Sequence, residues 1–421
     1  MAKITVIDSL MGTGKTHWTI QYFKEHQMDS NKNFLYIAPF IKEVERIIDN
    51  VGTFEQPINK GNGKMGALND MLARQEDIAA THELFKHLDD TGIELIADGH
   101  YTLVLDEVLN VLEPLPIEKC DIQILLNSGC ISLDENNYVE WHSGEYDGDT
   151  IFDELRELAE NHRVICVNNC MLLWQYPPEI FQIFDEIYIM TYMFDASIMK
   201  YYFDLHNMEY EKKSIIRKED GTSELRDYVE PDTSQFAKLI EIYEGEMNNS
   251  FYLKKEALSK SWFISDKSRN NIKKLKNNLY NYFHNIKKAK APQILWTTFK
   301  DASTKLGGKG YTKRFLSYNC RSTNEYSDTH ILAYCVNVYP HPVLVSYFAQ
   351  RGIIIDQEKY ALIEMLQWIW RSRIRKSEAE DRSICIYIPS ERMRCLLYDW
   401  LKVDYQPVRM MTRQLKKKKQ I

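Results

Sequence analysis

The residues with the clearest chemistry lie near the start of the chain. The segment from Ser9 to Thr16 reads Ser-Leu-Met-Gly-Thr-Gly-Lys-Thr, follows the β-branched run 4–8 and precedes a helical stretch from 17 to about 24. A strand, a glycine-rich loop and a helix in this order are typical of a phosphate-binding loop, or P-loop. Ser9 stands where the usual pattern has its first glycine, so a glycine-rich turn that binds no nucleotide stays an alternative.

Each residue type in this loop suits a nucleoside triphosphate. The glycines let backbone N–H groups turn inward around phosphate oxygens, the lysine reaches the β and γ phosphates, and the hydroxyl beside it binds Mg²⁺. The predicted cofactors are therefore ATP and Mg²⁺. The loop residues expected to hold them are Gly12, Thr13, Gly14, Lys15 and Thr16.

A second predicted strand ends in two adjacent carboxylates. The apolar run 101–105 leads directly into Asp106 and Glu107. In P-loop proteins the first acid at this place holds Mg²⁺ through its water shell, and the second orients and activates the attacking water. A kinase that phosphorylates a small molecule does not need the second acid. The pair therefore favours ATP hydrolysis, with Lys15 and Glu107 as catalytic residues.

The order of these motifs resembles that of a superfamily 2 helicase, and the resemblance runs over nearly the whole chain. Asp106 and Glu107 begin a segment that looks like the DExx box of that family. Strand ends at 37–40 and 78–82 lie where motifs Ia and Ib occur, and the segment 191–197 lies where motif III occurs. Simple strand-to-loop turns are the alternative for all three. The resemblance implies nucleic-acid contacts for Pro39, Phe40, Thr81, His82 and Thr191.

Two segments of the second half resemble later motifs of the same family. The segment 320–328 lies at the position of motif V, which implies that Thr323 and Asn324 contact nucleic acid and that Asp328 contacts the nucleotide. The segment 367–375 is similar to motif VI, Gln-x-x-Gly-Arg-x-x-Arg. The sequence of the first segment is far from the common Gly-Asp form of motif V.

Motif VI departs from the family pattern in two ways, because Trp370 replaces the glycine and the second arginine stands one position late. On a helix, Gln367, Arg371 and Arg375 would share one face. Guanidinium groups in such a row could stabilise the charge that develops on a γ-phosphate, as an arginine finger does, so all three are candidate catalytic residues. The alternative is an exposed amphipathic helix whose arginines pair with nearby acids.

Apolar strand candidates alternate with helical stretches along the chain, and this pattern predicts an α/β fold with parallel sheets. With the helicase resemblance, we expect two RecA-like lobes in tandem with a nucleotide cleft between them. The expected boundaries are 1–198 for the ATPase lobe, 199–405 for the second lobe, with an acidic, strand-poor link at 199–250, and 406–421 for a basic tail. Further strand candidates are 164–167, 187–190, 260–264, 294–299 and 384–388.

Charge separates the two halves of the chain. Residues 1–250 carry 20 basic and 46 acidic side chains, whereas residues 251–320 carry 16 and 3, and residues 321–421 carry 17 and 11. The lysines of 273–276 and 287–290, with Tyr280, Tyr282 and Phe283 between them, suit a track for a phosphate backbone with aromatic stacking surfaces. A solvated helix face explains the lysines equally well.

Composition restricts the class of protein. Hydrophobic residues make up 44% and charged residues 27% of the 421 residues, which excludes collagen-like and wholly disordered chains. No apolar run reaches the ~18 residues of a membrane helix, and the start has no signal-peptide layout. The eight cysteines form no CxxC pairs and are interpreted as reduced thiols. We therefore expect a soluble, intracellular protein, cytoplasmic in a bacterial host if a phage encodes it, with no membrane partner.

These features predict an ATP-dependent nucleic-acid translocase or helicase that unwinds DNA during replication or recombination. DNA is the expected polymer rather than RNA, replication proteins are candidate partners, and a phage or mobile element is the expected source. One alternative is a viral DNA-packaging ATPase, although the segment 251–320 has only three acids from which to build a nuclease site. The other is a DNA-binding replication loader or scaffold whose ATPase has degenerated.

Overall fold

The computed structural model describes residues 2–29, 31–59, 61–142, 144, 152–248, 256–320, 325–376 and 380–404. The chain folds into two compact units. One contains Met1–Val229 and Pro340–Asp356, and the other contains Glu230–Tyr339 and Gln357–Ile421. Each unit combines helices with a sheet of mainly parallel strands, so the predicted α/β fold is confirmed.

The elements of the described residues are as follows in chain order. The strands are β1 Lys3–Asp8, β2 Asn33–Ala38, β3 Ile78–Thr81, β4 Tyr101–Asp106, β5 Leu112–Pro114, β6 Ile131–Leu133, β7 Val139–Trp141, β8 Val164–Val167, β9 Met171–Gln175, β10 Glu186–Thr191, β11 Glu211–Arg217, β12 Ser223–Asp227, β13 Ile240–Ile242, β14 Ile294–Thr297, β15 Ile331–Tyr334 and β16 Ile384–Tyr387. The α-helices are α1 Lys15–His26, α2 Ile41–Val51, α3 Gly63–Ala73, α4 His82–Lys86, α5 Asp90–Asp98, α6 Lys119–Asn127, α7 Asp153–Glu160, α8 Ile198–Leu205, α9 Lys260–Ile264, α10 Arg269–Tyr280, α11 Ser303–Leu306, α12 Pro342–Ala349, α13 Gln357–Ile369 and α14 Glu391–Trp400.

The first unit is built on a seven-stranded sheet with the order β12-β11-β1-β10-β4-β2-β3. All neighbours in it pair in parallel except β12, which is antiparallel to β11. Side chains alternate between two buried clusters: Leu35 and Ile37 lie in one, and Phe34 and Tyr36 lie in the other. Because both faces are covered, the central strands β1, β10, β4 and β2 are mainly apolar.

The link predicted at 199–250 is in fact rich in strands. β11 pairs with β1 and carries the sheet past the P-loop strand, and β12 forms its edge. β11 begins with Glu211 and two lysines, and Glu211 forms ion pairs with Lys3 and Lys213, so the charged composition of β11 obscures its strand character. The structural boundary falls after Val229 rather than at the predicted 198 because this hairpin belongs to the first sheet.

Residues 112–174 come between β4 and β10 in the sequence and form an additional layer, part of which packs into the core cluster of the large sheet. It consists of a three-stranded sheet, β5-β9-β8, a β6-β7 hairpin, and helices α6 and α7. The prediction of Val164–Val167 as a strand of the parallel sheet is wrong, because β8 pairs with β9 in antiparallel register. The two strands are joined by only three residues, 168–170, which is too short for a parallel crossover.

A segment of the second half of the chain returns to the first unit. Helix α12 and the residues after it bury Leu344, Phe348 and Ile355 in the core cluster of the large sheet. The hydroxyl of Tyr347 donates to Gln175 on β9 at 3.4 Å. This segment is therefore part of the first unit although more than 100 residues separate it from Val229.

The second unit has a four-stranded parallel sheet with the order β13-β16-β15-β14. The strands predicted at 294–299 and 384–388 occur as β14 and β16. The predicted strand at 260–264 is instead helix α9, because the Ser259 side chain accepts a hydrogen bond from the backbone of Trp262 and caps its first turn.

The basic tail predicted at 406–421 lies outside the described residues. Among the residues that are described, no helix combines the length and the apolar character that a membrane span requires. All eight cysteines carry free thiols.

Candidate active site

The strand ends of the first sheet bring the two predicted motifs to the same edge. β10 lies between the P-loop strand β1 and the strand β4, with Asp8 opposite Thr191 and Met190 opposite Asp106. Because these strands are parallel, their carboxyl ends open on one side of the sheet, where open α/β sheets bind ligands. Two strand spacings, about 10 Å, separate the P-loop from the acid pair.

The P-loop has the backbone that its glycines predict. Gly12 and Gly14 adopt positive φ of 84° and 97°, a region that other residues enter at a cost. A Cβ atom at Gly12 would meet no atom within 4 Å, so the space around that side of the loop is open. Thr13 closes the turn by donating to the carbonyl oxygen of Leu10 at 2.8 Å.

Helix α1 begins at Lys15, so the loop delivers its backbone N–H groups to a helix N-terminus, where anions bind favourably. The ammonium group of Lys15 donates to the carbonyl oxygens of Ser9 at 2.6 Å and Leu10 at 3.0 Å. Burial lowers the pKa of Lys15, while the charges of Glu107 and Asp106 act in the opposite direction. The lysine thus stands between the loop and the acid pair. Thr16 follows it in the first turn of α1.

Asp106 ends β4 and is held from the neighbouring strand β2. The hydroxyl of Tyr36 donates to Oδ2 of Asp106 at 2.9 Å. Burial and the adjacent charge of Glu107 raise the pKa of Asp106 to about 6. Burial and the neighbouring carboxylate disfavour the charged form of Asp106, and a cation bound nearby would add to the stabilisation that the Tyr36 hydrogen bond and the charge of Lys15 provide.

Glu107 has a strained backbone, with φ of 71°, which a non-glycine residue rarely adopts. Its N–H donates to the carbonyl oxygen of Met190 at 2.9 Å, which holds the turn after β4 in place. Its Oε2 atom is buried, with no hydrogen-bond partner among the described residues. An orphaned carboxylate oxygen beside Asp106 and Lys15 is consistent with a site that receives water and Mg²⁺ with the nucleotide, so the residues present fit the implied cofactors.

Sequence reasoning missed a second set of polar residues behind the loop. Asp8, the last residue of β1, is 2% exposed and accepts from the backbone N–H groups of Met193 and Phe194 at 2.8 and 3.0 Å. Lys212 on β11 contacts Asp8 at 3.5 Å and Asp195 at 2.9 Å. These contacts attach the predicted motif III segment to the P-loop strand. Asp8 was recognisable only as a strand-terminal acid, and Lys212 had no sequence signal.

The predicted nucleic-acid residues of the first unit fall into two groups. Ala38 and Thr81 are opposite each other in β2 and β3, so Pro39 and Phe40 follow one strand where Thr81 and His82 end the next. Phe40 is 39% exposed, and Thr81 caps α4 by accepting from the N–H of Leu84 at 3.3 Å. The structure therefore brings these two loops together at the sheet edge.

Thr191 differs from the other four because it is 2% exposed, at the end of β10 between the P-loop strand and the acid pair. Its side chain is not presented to solvent for direct contact with a polymer. It lies on β10, the strand between the one that ends at Asp8 and the one that ends at Asp106.

The row of motif VI residues does not lie on one helix. Helix α13 ends at Ile369, so Gln367 is helical, Arg371 lies in the following turn, and Arg375 ends a 3-10 turn, Arg373–Arg375. The helix stops because the chain turns inward: Ser372 is fully buried, and the N–H of Arg373 donates to the carbonyl oxygen of Thr329 at 3.0 Å. The prediction of one shared helix face is wrong.

The remaining predicted residues of the second unit are in the motif V segment. Asp328 is exposed and forms an ion pair with Lys376 at 2.7 Å, which lowers the pKa of the Asp328 carboxyl group. Thr323 and Asn324 lie outside the described residues.

The predicted stacking track around α10 is only partly present. Tyr282 and Phe283 are fully buried in the core of the second unit, since they pack against Tyr387 and Tyr311 respectively. They cannot stack on bases, and that part of the prediction is wrong. Tyr280 is 45% exposed, and the lysines at 273, 274, 288 and 290 are exposed as well.

Comparison with known proteins gives two family matches and a full-length relative. Residues 112–174 match the YonV middle domain, and residues 234–401 match the YonV C-terminal Rossmann-like domain. The SPbeta prophage-derived protein YonV of Bacillus subtilis (strain 168) is 40% identical over 422 residues, covering 96% of this chain and 99% of the relative.

Solved structures with a similar arrangement include helicases at low similarity. The alignment with an XPD helicase covers 96% of each chain, at 12% identity and a TM-score of 0.46. The alignment with Xpd4 of S. tokodaii covers 96% of this chain and 94% of that chain, at 11% identity and a TM-score of 0.45. The alignment with the DUF1998 helicase MrfA bound to DNA and AMPPNP covers 94% of this chain and 48% of that chain, at 11% identity and a TM-score of 0.33.

Proposed function

The chain belongs to the YonV family, and we propose that its first unit hydrolyses ATP to drive movement along nucleic acid, with DNA as the preferred polymer. The observation that carries the proposal is that Lys15, Asp106 and Glu107 lie at one sheet edge. Glu107 has a strained backbone, and its buried Oε2 has no hydrogen-bond partner among the described residues. Unwinding of DNA during replication or recombination is the more specific form of this proposal.

The loop would bind the triphosphate through the backbone N–H groups of residues 12–16 and the N-terminus of α1. Lys15 would exchange its contacts with Ser9 and Leu10 for phosphate oxygens, without a change in the fold of the loop. Thr16 and Asp106 would hold Mg²⁺, which neutralises charge on the phosphates when bound.

Glu107 is assigned the role of orienting and activating the water that attacks the γ-phosphate. Its buried Oε2 has no protein partner among the described residues, so a hydrogen bond to that water would satisfy it. The positive φ at Glu107 sets the direction of the side chain after β4. An aspartate or glutamine at this position would change its reach or its ability to accept the proton.

Nucleic-acid binding is assigned first to the adjacent loops after β2 and β3. Phe40 offers an exposed ring that could stack on a base, and Pro39, Thr81 and His82 lie beside it. The layer 112–174 carries 13 acidic and 3 basic side chains and is an unsuitable surface for a phosphate backbone. The basic segment 251–320 would supply further affinity that does not depend on sequence.

We assign to arginines of the second unit the stabilisation of charge that develops on the γ-phosphate. Arg371 is the first candidate and Arg375 the second, as the helicase resemblance implies for motif VI, with Gln367 beside them. The proposal also includes the contacts that the resemblance implies for motif V: Asp328 with the nucleotide, and Thr323 and Asn324 with nucleic acid. In this scheme each cycle of ATP turnover would drive a conformational change, and repeated cycles would move the polymer.

The experiment that tests this function is an ATPase assay with single-stranded and duplex DNA and RNA at two salt concentrations. We expect stimulation by DNA, with weaker stimulation at the higher salt because phosphate contacts release counterions. Basal hydrolysis with an identical rate for every polymer would reject nucleic-acid coupling and favour a packaging ATPase or a scaffold.

A further inference from the structure

Tyr36 is a fully buried residue of β2 that reaches the metal-binding acid from the neighbouring strand. Its ring lies in the core cluster between the sheet and α1 and packs edge-on against Phe23. Only its hydroxyl group leaves the apolar core, and it donates to Oδ2 of Asp106 at 2.9 Å. Neither the P-loop pattern nor the acid pair in the sequence points to this tyrosine.

We propose that Tyr36 is a positioning residue for Mg²⁺·nucleotide: it fixes Oδ2 of Asp106 and leaves Oδ1 available for the Mg²⁺ that Asp106 would help to hold. The inference rests on the proposed function. It gives strand β2 a part in the site, and the same strand leads directly into Pro39 and the exposed Phe40. The hydroxyl touches the carboxylate and not the reacting atoms, so it acts through Asp106.

The charges around Asp106 explain why its orientation needs a fixed donor. Glu107 and Glu43, the latter on the first turn of α2, both lie close enough for their charges to act on Asp106. Glu43 also has a buried Oε2 without a hydrogen-bond partner among the described residues. Repulsion from two carboxylates would turn the side chain of Asp106 away from its neighbours, and a rigid donor inside the core opposes that rotation.

A purely structural role for the hydroxyl is the competing explanation, since a buried tyrosine needs a partner for its O–H group. Tyr101 provides the matched comparison. It is also a fully buried tyrosine of the same sheet, and its hydroxyl donates to the backbone carbonyl of Glu76 at 3.0 Å. Removing either hydroxyl deletes one buried hydrogen bond, but only the Tyr36 bond ends on the metal-binding acid.

The test measures binding of a fluorescent N-methylanthraniloyl-ADP to the full chain while Mg²⁺ is titrated, for wild type, Tyr36→Phe and Tyr101→Phe. We expect Tyr36→Phe to raise the half-saturating Mg²⁺ concentration by about tenfold, as loss of a hydrogen bond to a charged group would. Its affinity for the nucleotide in EDTA should equal that of wild type. Tyr101→Phe should match wild type in both measurements.

Melting temperatures of the two variants without ligand show whether each is folded at the assay temperature. An unchanged Mg²⁺ dependence in Tyr36→Phe overturns the inference, as does an equal loss of affinity with and without Mg²⁺. If wild type itself shows no Mg²⁺-dependent nucleotide binding, both the proposed function and this inference fail. If wild type shows it and Tyr36→Phe does not differ, only the role of Tyr36 fails.

Discussion

The ammonium group of Lys15 donates to the carbonyl oxygen of Ser9 at 2.6 Å, and this contact closes the P-loop on itself. The carbonyl oxygen of Leu10 accepts from the same group at 3.0 Å. The lysine is therefore held in the loop by its own backbone, near the carboxylates of Asp106 and Glu107. A phosphate group that enters has only to replace two carbonyl contacts, so little reorganisation precedes binding.

The backbone strain at Glu107 should lower the free energy of unfolding by a measurable amount. A side chain at φ of 71° is disfavoured, whereas glycine adopts this region freely. Glu107→Gly and Glu107→Ala both remove the carboxylate, but only the glycine removes the strain. We expect Glu107→Gly to have a free energy of unfolding about 1 kcal/mol higher than Glu107→Ala in urea titrations. An alanine variant as stable as the glycine variant would show that the turn carries no strain.

The arginine proposed to sense the γ-phosphate is Arg371. Arg371→Ala should leave the affinity for nucleotide nearly unchanged and reduce the ATP turnover rate by about a thousandfold, because the guanidinium stabilises charge only in the transition state. Arg373→Ala is the matched control, since Arg373 contacts the backbone carbonyl of Ser383 and pairs with Asp381. Its turnover per folded molecule should equal that of wild type. Loss of nucleotide binding in Arg371→Ala would instead indicate a structural residue.

His206 should make the first unit less stable in acid. Burial lowers the pKa of this histidine, with Glu179 opposing the shift and Arg351 adding to it. The unfolded chain therefore binds a proton at a higher pH than the folded chain, so the free energy of unfolding falls as pH drops below about 6.5. His206→Phe keeps a ring against Tyr202 and removes the titration. Between pH 7.5 and 5, wild type should lose more stability than the variant in denaturant titrations, and equal losses would contradict this.

The returning segment with α12 should contribute strongly to the stability of the first unit. Phe348 is fully buried, whereas Ile354 in the same segment is 87% exposed. Phe348→Ala should lower the free energy of unfolding of the first unit by about 3–5 kcal/mol, through lost burial and the cavity that remains. Ile354→Ala should change it by less than about 0.5 kcal/mol. Equal effects of the two substitutions in chemical denaturation would mean that α12 does not dock as described.

Local sequence patterns identified those elements whose apolar runs end in chemically distinctive residues. The strands before Ser9 and before Asp106 are of this kind, and both occur where predicted. The same patterns do not reveal which strands pair with each other or in which direction. Val164–Val167 is as apolar as the parallel strands, and only the three-residue connection to β9 makes it antiparallel. β11 contains several charged residues, and ion pairs such as Lys3–Glu211 stabilise them at the surface. The sequence alone does not reveal that β11 lies beside β1.

The site shows the same division between local and non-local information. Gly12, Lys15, Asp106 and Glu107 could be proposed from the sequence because each motif lies within a few consecutive residues. Tyr36 was not, because its contact with Asp106 spans 70 positions. The end of α13 also escaped prediction, since the inward turn at Ser372 depends on a hydrogen bond to Thr329 from another part of the second unit.

The most direct test of the central claim is ATP hydrolysis by the purified full chain and by Lys15→Ala, with and without single-stranded DNA, with nucleotide binding measured on the same samples. We predict that wild type hydrolyses ATP and is stimulated by DNA, and that Lys15→Ala keeps its fold while turnover falls to background. Substantial turnover in Lys15→Ala, or none in wild type under every condition, would contradict the assignment of the P-loop as the catalytic centre.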